Sequence, residues 1–330
     1  MKRFFASKTD AHCKQDACAL VFALRRKVIF LMTEKEFNII GLGEILWDVL
    51  PDGKQLGGAP ANFAYVSNAL GNRGIVLSRV GDDELGREIL DELRAKNLAT
   101  KYVEIDADKL TGIVNVKLEN GQPGYEIVEN VAWDFLELSE NWREIAKNYD
   151  AVCFGSLAQR GEVSRQTIRK FVGLTNGLKI FDGNLRQNYF SVGVIRESFE
   201  LANVAKLNHE ELPIVAEMLE IAGGNQLETA KNLREKFDLK FLCVTRGANG
   251  SWLLTENETS ENAGLKITVK DTIGAGDAFT AGMTHGILRG WELDKINEFA
   301  NKVGAFVASN TGAMPSFEDF TSLISRDFTH

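Results

Sequence analysis

Asp271-Thr-Ile-Gly-Ala-Gly-Asp-Ala-Phe279 carries the clearest structural signal in this sequence of 330 residues. Gly274, Ala275 and Gly276 keep bulky side chains out of a turn, and a helical pattern follows them as far as Leu288. Backbone N–H groups at such a turn can approach a ligand, and the start of a helix adds partial positive charge. The stretch therefore predicts an anion site at the N-terminus of a helix.

Asp277 lies at the mouth of this predicted anion site. A carboxylate there can take a proton from an attacking hydroxyl group while backbone amides hold the charge of a phosphoryl group. Asp near the start of a helix is also a common N-cap, and Gly-Ala-Gly is also an ordinary flexible turn. The residues of this stretch alone leave both interpretations of Asp277 open.

Two other phosphate-binding patterns do not fit the sequence. It contains no GxxxxGK[ST] motif of the P-loop type. Gly41-Leu-Gly43 begins like a dinucleotide fingerprint, but Leu46 stands where the third glycine is needed. The sequence therefore disfavours a P-loop enzyme and a dinucleotide-dependent oxidoreductase.

The composition is that of an ordinary globular protein, with 44% hydrophobic and 25% charged residues. The formal net charge of -8 argues against a nucleic-acid-binding protein, which normally gathers a basic excess on one face. The four cysteines are scattered and form no CxxC pair, a pattern typical of reduced thiols: Cys13, Cys18, Cys153 and Cys243. We therefore expect a cytoplasmic protein that does not bind nucleic acid.

The N-terminal segment has apolar runs that do not amount to a membrane span. Ala17–Leu24 and Val28–Met32 are apolar, but Arg25-Arg-Lys27 separates them and neither run could cross a bilayer. A signal peptide would instead place its positive charges before one continuous apolar run. We therefore predict that residues 1–35 are an extension outside the fold, that Met32 is the natural start, and that the protein does not bind a membrane.

Strand and helix patterns alternate over most of the chain. Predicted strands lie at Phe37–Ile40, Ile75–Val80, Ala151–Phe154, Lys179–Phe181, Val204–Leu207 and Phe241–Val244. Predicted helices lie at Pro60–Leu70, Asp83–Lys96, Glu162–Leu174, Glu210–Ala222 and Leu227–Lys236. This alternation implies right-handed crossovers, a mostly parallel central sheet and helices on both of its faces. We therefore predict one three-layer α/β/α domain whose ligands bind beyond the carboxyl ends of the strands.

The alternation breaks within Tyr102–Leu136. Gly112–Leu118 and Tyr125–Val128 have alternating faces and flank the turn Asn120-Gly121, as in a β-hairpin. Segments at about 44–56 and 102–136 are therefore predicted to form a small β-sheet lid. Its exposed edges could pair two subunits into a homodimer.

Asp271–Phe279 resembles the C-terminal signature of the ribokinase-like carbohydrate kinases, also called the phosphofructokinase-B type. Gly57-Gly-Ala-Pro-Ala-Asn62 and Gly81-Asp-Asp-Glu-Leu-Gly86 resemble the N-terminal signature. The resemblance extends over about residues 37–320 and leaves 321–330 as a C-terminal tail. It implies the ribokinase-like fold and a kinase that uses ATP and Mg²⁺ to phosphorylate a small-molecule sugar.

Within this family, the sequence looks most like the fructokinases because of Gly43-Glu-Ile-Leu-Trp-Asp48 and Asp182-Gly-Asn-Leu-Arg186. The reaction that this resemblance implies is transfer of the γ-phosphoryl group of ATP to fructose, which gives fructose 6-phosphate. Asp277 would be the base that deprotonates the sugar hydroxyl. Amides of the Gly274–Gly276 turn would hold the developing charge.

The resemblance assigns a group of residues to the sugar. Asp48 and Asn62 would bind hydroxyl groups, and Gly57 and Gly58 would let the backbone touch the sugar. Arg186 would neutralise a phosphate of ATP or of a phosphorylated sugar. Simpler alternatives are an exposed strand residue for Asp48, an N-cap for Asn62 and a surface salt bridge for Arg186.

One departure from the family pattern concerns the lid. Fructokinases often have Ala-Asp where this sequence has Ala132-Trp133-Asp134, so a sugar contact from the lid is predicted to be displaced or lost. The substrate could therefore be ribose, ketodeoxygluconate or a nucleoside such as adenosine instead of fructose. A non-catalytic sensor of sugar or nucleotide is a further alternative, which the intact Asp277 and Gly-Ala-Gly turn disfavour.

Asn208-His-Glu-Glu211 resembles the family's Asn-x-x-Glu motif. The resemblance implies that Glu211 holds the water shell of Mg²⁺ and that Asn208 supports the same network. The same two residues also fit a capping box at the start of a helix. Both interpretations can hold together.

Thr245-Arg-Gly-Ala-Asn-Gly250 resembles the family's nucleotide-phosphate turn, which implies that Thr245, Gly247 and Gly250 contact ATP. Asn301 matches a position that lines the adenine pocket, in a predicted helix, Leu293–Ser309, that otherwise serves core packing. Three further residues fall where some members of the family bind a monovalent cation such as K⁺: Asp271, Gly312 and Ser316.

Overall fold

The computed structural model of the chain describes residues 35–50, 53–119, 122–174, 176–318 and 320, with backbone alone for 116–119 and 122–125. Predictions on Met32, on the Asn120-Gly121 turn, on the tail at 321–330 and on all but the last residue of the 1–35 extension lie outside the described residues. The chain divides into a large unit, Phe37–Pro315, and a second unit formed by the residues before and after it. In the second unit, the rings of Phe317 and Phe320 pack edge to face with centroids 5.2 Å apart.

Thirteen strands can be assigned within the described residues. They are β1 (Asn38–Leu42), β2 (Leu46–Leu50), β3 (Gly53–Gly57), β4 (Arg73–Gly81), β5 (Val103–Asp106), β6 (Gly112–Glu119), β7 (Gln122–Ile127), β8 (Ala151–Gly155), β9 (Leu178–Asp182), β10 (Val204–Asn208), β11 (Phe241–Thr245), β12 (Ser251–Leu254) and β13 (Thr259–Asn262). The six strands predicted from the sequence correspond to β1, β4, β8, β9, β10 and β11.

The α-helices of the described residues lie between and after these strands. They are α1 (Ala59–Ala69), α2 (Glu84–Ala95), α3 (Glu140–Ile145), α4 (Glu162–Gly173), α5 (Val192–Leu201), α6 (Glu211–Met218), α7 (Gln226–Lys236), α8 (Ala275–Leu288) and α9 (Leu293–Ala308). Short 3₁₀ helices occupy Ala132–Phe135, Leu157–Gln159 and Gly247–Asn249. Each of the seven predicted helices is present, including the one after the Gly-Ala-Gly turn and the one at Leu293–Ser309.

The large sheet has nine strands in the order β13-β12-β11-β10-β9-β8-β1-β4-β5. Neighbours from β11 to β5 pair in parallel, and β12 and β13 add an antiparallel edge. Parallel strands of this kind are covered on both faces and read as continuous apolar runs. The predicted α/β fold with a mostly parallel sheet is therefore confirmed, and the carboxyl ends of β1, β9, β10 and β11 meet at one edge.

Burial of apolar side chains explains why these segments form the centre of the sheet. Ile39, Ile40 and Leu42 of β1 are 0% exposed. In α2, Ile89, Leu90 and Leu93 lie on the buried side of the helix. The first turn of α2 is closed by its N-cap, because Asp83 accepts a hydrogen bond of 2.7 Å from the amide of Gly86. Periodicity and capping thus agree on the position of this helix.

A separate sheet of four strands has the order β3-β2-β6-β7. Strands β2 and β6 pair in parallel, whereas β2–β3 and β6–β7 are antiparallel pairs. The small predicted sheet is therefore present. Its edge strands are β3 and β7, at which the predicted homodimer would have to form.

The predicted lid segment 102–136 contributes less to the small sheet than we expect from the sequence. Val103–Asp106 instead forms β5, which pairs in parallel with β4 at the edge of the large sheet. The reason is that Val103 is 7% exposed and belongs to a hydrophobic core with Ile89 and Leu93 of α2. The lid strands of this segment begin only at Gly112.

Arg160 connects Val128, the residue after β7, with the buried Asp134. Its Nε and Nη2 atoms donate to the two carboxylate oxygens of Asp134 at 2.7 and 2.9 Å, and Nη2 also donates to the carbonyl oxygen of Val128 at 2.6 Å. The guanidinium carbon lies 3.9 Å from the centroid of the Trp133 ring and 4.9 Å from that of Tyr189. Asp134 is therefore engaged by Arg160, and the displaced or lost sugar contact at this position stays a prediction.

We expect Asp134→Asn to lower the free energy of unfolding by about 3 to 5 kcal/mol, because a buried guanidinium would lose its counter-charge. Both side chains of the pair are at most 7% exposed. Urea unfolding followed by circular dichroism measures the change. Glu162→Gln is the matched control, since its ion pair with Arg165 is 68% exposed on the Glu162 side and 3.8 Å long. A change for Asp134→Asn as small as that of the control would contradict the structural role of this pair.

Candidate active site

The Gly-Ala-Gly turn begins helix α8 as predicted. Gly274 is the N-cap, with a φ of 75°, and no side chain caps this helix end. A Cβ atom at Gly274 would lie 2.5 Å from the Cβ atom of Ala313, so that this turn requires glycine for both conformation and space. Because the first amides of a helix have no intrahelical partner, they are available to an anion.

Asp277 is not the N-cap of α8. It lies three residues after Gly274, inside the first turn, and its Oδ2 atom accepts a hydrogen bond of 2.8 Å from Nδ2 of Asn62. Asn62 is not an N-cap either, because α1 begins at Ala59 after the N-cap Gly58. The structure therefore excludes the capping interpretation for both residues and joins the two sequence signatures through one hydrogen bond.

The carboxyl group of Asp277 has an altered proton affinity. Burial and the negative charge of Asp182 raise its pKa to about 6, against the opposing effects of the Asn62 hydrogen bond and of the Lys206 and Arg186 charges. The side chain is nevertheless partly exposed. A carboxylate with this pKa is a stronger base than an ordinary Asp and is largely ionised at neutral pH.

A buried ion pair lies behind the turn. Lys206 of β10 donates to both carboxylate oxygens of Asp182 at 2.9 and 3.0 Å, and Thr280 of α8 donates to the Oδ2 atom at 2.8 Å. Burial lowers the pKa of Lys206, but Asp182 and Glu211 together raise it above its usual value. A Cβ atom at Gly276 would lie 3.2 Å from Nζ of Lys206, so the ammonium group is close to the turn.

The predicted sugar-side residues lie where the lid joins the large sheet. Asp48 is on β2 and Gly57 is on β3, where a Cβ atom would collide with Oδ2 of Asp48. Gly58 has a φ of 109°, and a Cβ atom there would lie 2.5 Å from the carbonyl oxygen of Glu44. Burial raises the pKa of Asp48 to about 6, and the charge of Arg186 opposes this effect. Gly57 thus leaves room for the Asp48 carboxylate, and Gly58 lets its backbone approach that of Glu44.

Arg186 lies near enough to three carboxyl groups for its charge to act on them. Burial raises the pKa of three carboxyl groups, those of Glu44, Asp48 and Asp277, and the positive charge of Arg186 opposes each of these increases. The side chain is exposed. Among the described residues it forms no ion pair within 4.0 Å, so the alternative of a surface salt bridge does not describe its state here. The structure therefore brings Asp48, Arg186 and Asp277 together.

Asn208 and Glu211 make the reciprocal hydrogen bonds of a capping box, but Asn208 is not the N-cap, because α6 begins at Glu211 after the N-cap Glu210. Oδ1 of Asn208 accepts hydrogen bonds of 2.8 Å from the amides of Glu210 and Glu211, while Oε2 of Glu211 accepts one of 2.8 Å from the amide of Asn208. Oε1 of Glu211 accepts a further bond of 2.8 Å from the amide of Leu185. Glu211 thus connects the end of β10 to the loop after β9, and its predicted contact with Mg²⁺ stays a prediction.

The predicted nucleotide turn follows β11. Thr245 ends this strand, and Gly247 and Gly250 have φ values of 57° and 78°. Arg246 forms an ion pair of 3.0 Å with Glu261 and lies 4.3 Å from the centroid of the Trp252 ring. Both glycines thus have backbone conformations that other residues rarely adopt, Arg246 is engaged within the protein, and the predicted contacts of this turn with ATP stay a prediction.

Asn301 of α9 belongs to a polar network. Its Nδ2 atom lies 2.7 Å from Oγ of Ser251 and 2.8 Å from the carbonyl oxygen of Asn297. Nδ2 of Asn297 in turn lies 3.1 Å from Oγ of Ser260. The amide nitrogen of Asn301 is therefore occupied by the protein, and its role at adenine stays a prediction.

The predicted monovalent-cation residues are partly brought together. Oδ2 of Asp271 accepts a hydrogen bond of 3.0 Å from the amide of Gly312, which has a φ of 76°. Oδ1 of Asp271 accepts one of 2.9 Å from the amide of Ile273. Ser316 belongs to the other unit of the chain, so its assignment to this site stays a prediction.

Sequence reasoning missed Lys206 and Glu44. The signal for Lys206 was a lone charge within the apolar strand Val204–Asn208, which a buried Lys occupies only with a partner. The signal for Glu44 was an acidic residue directly after a buried strand. No group of three or more metal-binding side chains converges within the described ranges, and none of the helices described there is long and apolar enough to cross a membrane.

Known proteins resemble the chain over most of its length. A family model described as pfkB family carbohydrate kinase matches residues 49–319. The sequence is 31% identical over 298 residues to a putative sugar kinase of Pyrococcus horikoshii, over 83% of this chain and 91% of that protein. The crystal structure of that sugar kinase in complex with ATP has a TM-score of 0.72, with 30% identity over 84% of this chain and 94% of the other.

Two further relatives carry more specific names. A fructokinase of Vibrio alginolyticus is 28% identical over 303 residues, which cover 86% of this chain and 96% of the relative. An ATP-dependent 6-phosphofructokinase of Thermoanaerobacterium thermosaccharolyticum is 27% identical over 322 residues, which cover 92% of this chain and 98% of the relative. The matched residues include both sides of the cleft described above.

We expect Gly274→Ala to destabilise the protein by about 2 to 4 kcal/mol, from the strain of a left-handed alanine and the collision with Ala313. Gly290→Ala is the matched control, because Gly290 has a similar φ of 63° but nothing within 4 Å of its Cβ position. Thermal unfolding of both variants measures the difference, and we expect the control to lose only about 1 kcal/mol. Equal losses would show that the turn has room for a side chain.

Proposed function

The chain belongs to the pfkB family of carbohydrate kinases, and we propose that it transfers the γ-phosphoryl group of ATP to a hydroxyl group of fructose. The observation that carries this proposal is the hydrogen bond of 2.8 Å between Asp277 and Asn62. It places a carboxylate with a raised pKa beside the uncapped start of α8 and beside the two glycines that precede α1. A base, an anion site and a polyol site thus adjoin one another.

The proposed reaction needs one proton transfer and one bond exchange. Asp277 takes the proton of the acceptor hydroxyl, and the sugar oxygen forms its bond to the γ-phosphorus as the bond to the leaving ADP oxygen breaks. The amides at the start of α8 hold the charge on the transferring oxygens. The amide of Ala275 also makes a long bond of 3.3 Å to the carbonyl oxygen of Thr272, so Gly276 and Gly274 are the less engaged donors.

Asn62 is suited to bind the sugar as well as Asp277. Its Nδ2 atom is engaged by Asp277, while its Oδ1 atom is buried without a hydrogen-bond partner. A buried acceptor without a partner is unfavourable by about 1 to 3 kcal/mol, which a sugar hydroxyl donor would offset. Asp48 offers a second acceptor on the lid side of the cleft. A neutral polyol is recognised by such fixed donors and acceptors.

Glu211 fits a role near Mg²⁺. Each of its carboxylate oxygens accepts one amide hydrogen bond and keeps lone pairs for a water ligand. Mg²⁺ keeps several waters and binds mainly to substrate phosphates, where it neutralises charge. Asn208 and Glu211 would hold such waters at the end of β10, beside the Lys206–Asp182 pair.

Fructose is the first candidate substrate because of the sequence motifs and the fructokinase relative. Arg186 favours a second candidate, a phosphorylated sugar such as fructose 6-phosphate. It is exposed, faces the cleft and has no ion-pair partner among the described residues, and one relative is named a 6-phosphofructokinase. A guanidinium group in this state can bind a phosphate in bidentate fashion.

A coupled ADP-release assay with Mg²⁺ and ATP tests the substrate. The panel contains fructose, glucose, ribose, ketodeoxygluconate, fructose 6-phosphate and adenosine. We expect the highest kcat/KM with fructose. Preference for another member would keep the reaction and replace the substrate, and ATP binding without turnover of any member would favour the sensor alternative.

We expect Asp277→Asn to lower kcat by about 10²- to 10⁴-fold, because the amide keeps the shape of the side chain but cannot accept the proton. Binding of Mg·ATP, measured by calorimetry, should be retained. Asp294→Asn is the matched control, since Asp294 is exposed in the first turn of α9 and lies outside the cleft. Turnover of Asp277→Asn at the level of this control would exclude Asp277 as the base.

A further inference from the structure

Glu44 is a buried carboxyl group that the proposed reaction does not use. It is the second residue after β1, which ends at Leu42, and it is 3% exposed. Its Oε2 atom has no hydrogen-bond partner in the described part of the protein. An ionised carboxylate so placed would bury an oxygen that nothing solvates, whereas a protonated carboxyl group avoids most of that loss.

The groups that face Glu44 come from every element around it. Asp277 at the start of α8 repels its negative charge, and Arg186 in the loop after β9 attracts it. The amides of Ala59 at the start of α1 and of Glu44 itself stabilise the carboxylate. Cys153 of β8 is a neutral thiol whose pKa burial and nearby charges raise well above its usual value.

Burial outweighs the favourable contacts of Glu44. Its pKa is raised to about 7, first by burial and then by the Asp277 charge, against the effects of the two amides and of Arg186. Because this pKa is raised, the proton is present below about pH 7 and is lost as the pH rises above it. The uncapped start of α8 adjoins the same pair of carboxyl groups, and a phosphate there would bring further negative charge to them.

We propose that Glu44 is a positioning residue that acts as a neutral acid: it keeps a proton on Oε2 when nucleotide is bound, so that Asp277 is the only carboxylate of the pair. This inference rests on the proposed function for its place in the reaction. Glu44 exchanges no bond with the substrates and acts through the charge beside Asp277. A second negative charge there would repel the triphosphate and weaken its binding.

Proton uptake on nucleotide binding tests this directly. Mg·ATP is titrated without sugar into the wild-type protein at about pH 7.5, in two buffers whose ionisation enthalpies differ, so that the difference in heat reports protons exchanged. We expect the protein to take up a fraction of one proton per nucleotide, since a pKa of about 7 leaves Glu44 partly ionised before binding at this pH. Absence of uptake in the wild-type protein would overturn the proposal without any variant.

Glu44→Gln identifies the group that takes the proton. Gln reproduces the protonated acid, because its carbonyl oxygen accepts from the amides while its NH₂ group occupies the place of the protonated oxygen. We expect this variant to bind Mg·ATP, to lose the proton uptake, and to lose the fall in affinity that the wild type shows above about pH 7. Glu256→Gln, at an exposed position after β12, should take up the proton like the wild type.

Each of the remaining outcomes either supports or overturns the assignment of the proton to Glu44. Uptake in Glu44→Gln equal to that of the wild type would assign the proton to another group. A folded Glu44→Gln that no longer binds Mg·ATP would show that the negative charge is needed. Should this variant not fold, Arg186→Gln serves instead: loss of the positive charge raises the pKa of Glu44, and the uptake must move to higher pH. Proton uptake without phosphorylation of any panel sugar would contradict the proposed function and leave this inference standing.

Discussion

The hydrogen bond between Asn62 and Asp277 is the interaction on which the candidate site depends. It joins residues 215 positions apart and holds the starts of α1 and α8 against each other. Both helices begin after a glycine with positive φ, 109° at Gly58 and 75° at Gly274, so that backbone is open on both sides of the bond. In the function proposed for this pfkB kinase, the polyol side and the phosphate side would therefore meet at the carboxylate of Asp277.

The charged groups around this hydrogen bond differ in their pairing and in their pKa values. Lys206 and Asp182 neutralise each other behind the turn, where neither side chain is more than 7% exposed. In front of it, burial raises the pKa of Glu44 to about 7 and those of Asp48 and Asp277 to about 6. Carboxyl groups with such pKa values can bind a neutral sugar and still admit a polyanion, because part of their negative charge is removed near neutral pH.

Much of the fold was predictable because the buried parallel strands are continuous apolar runs and the helices have one apolar side. The prediction that Val103–Asp106 belongs to the lid is wrong because four residues at a sheet edge carry too little pattern to identify their partner strand. Capping by Asp277 or Asn62 stayed open because it depends on the residue at which each helix starts. The pairing of Lys206 with Asp182, and of Arg160 with Asp134, arises from contacts between elements that local sequence does not encode.

The most direct test of this account is the pH dependence of kcat/KM for the best sugar of the panel. If Asp277 is the base, activity falls as the pH is lowered through about 6, the pKa that its burial and Asp182 produce, because the protonated carboxyl group cannot accept the hydroxyl proton. We therefore expect an acid limb with its midpoint at about pH 6. A limb centred on 3.8, the value of an unperturbed Asp, or no acid limb at all, would contradict the assignment of Asp277 as a base with a raised pKa.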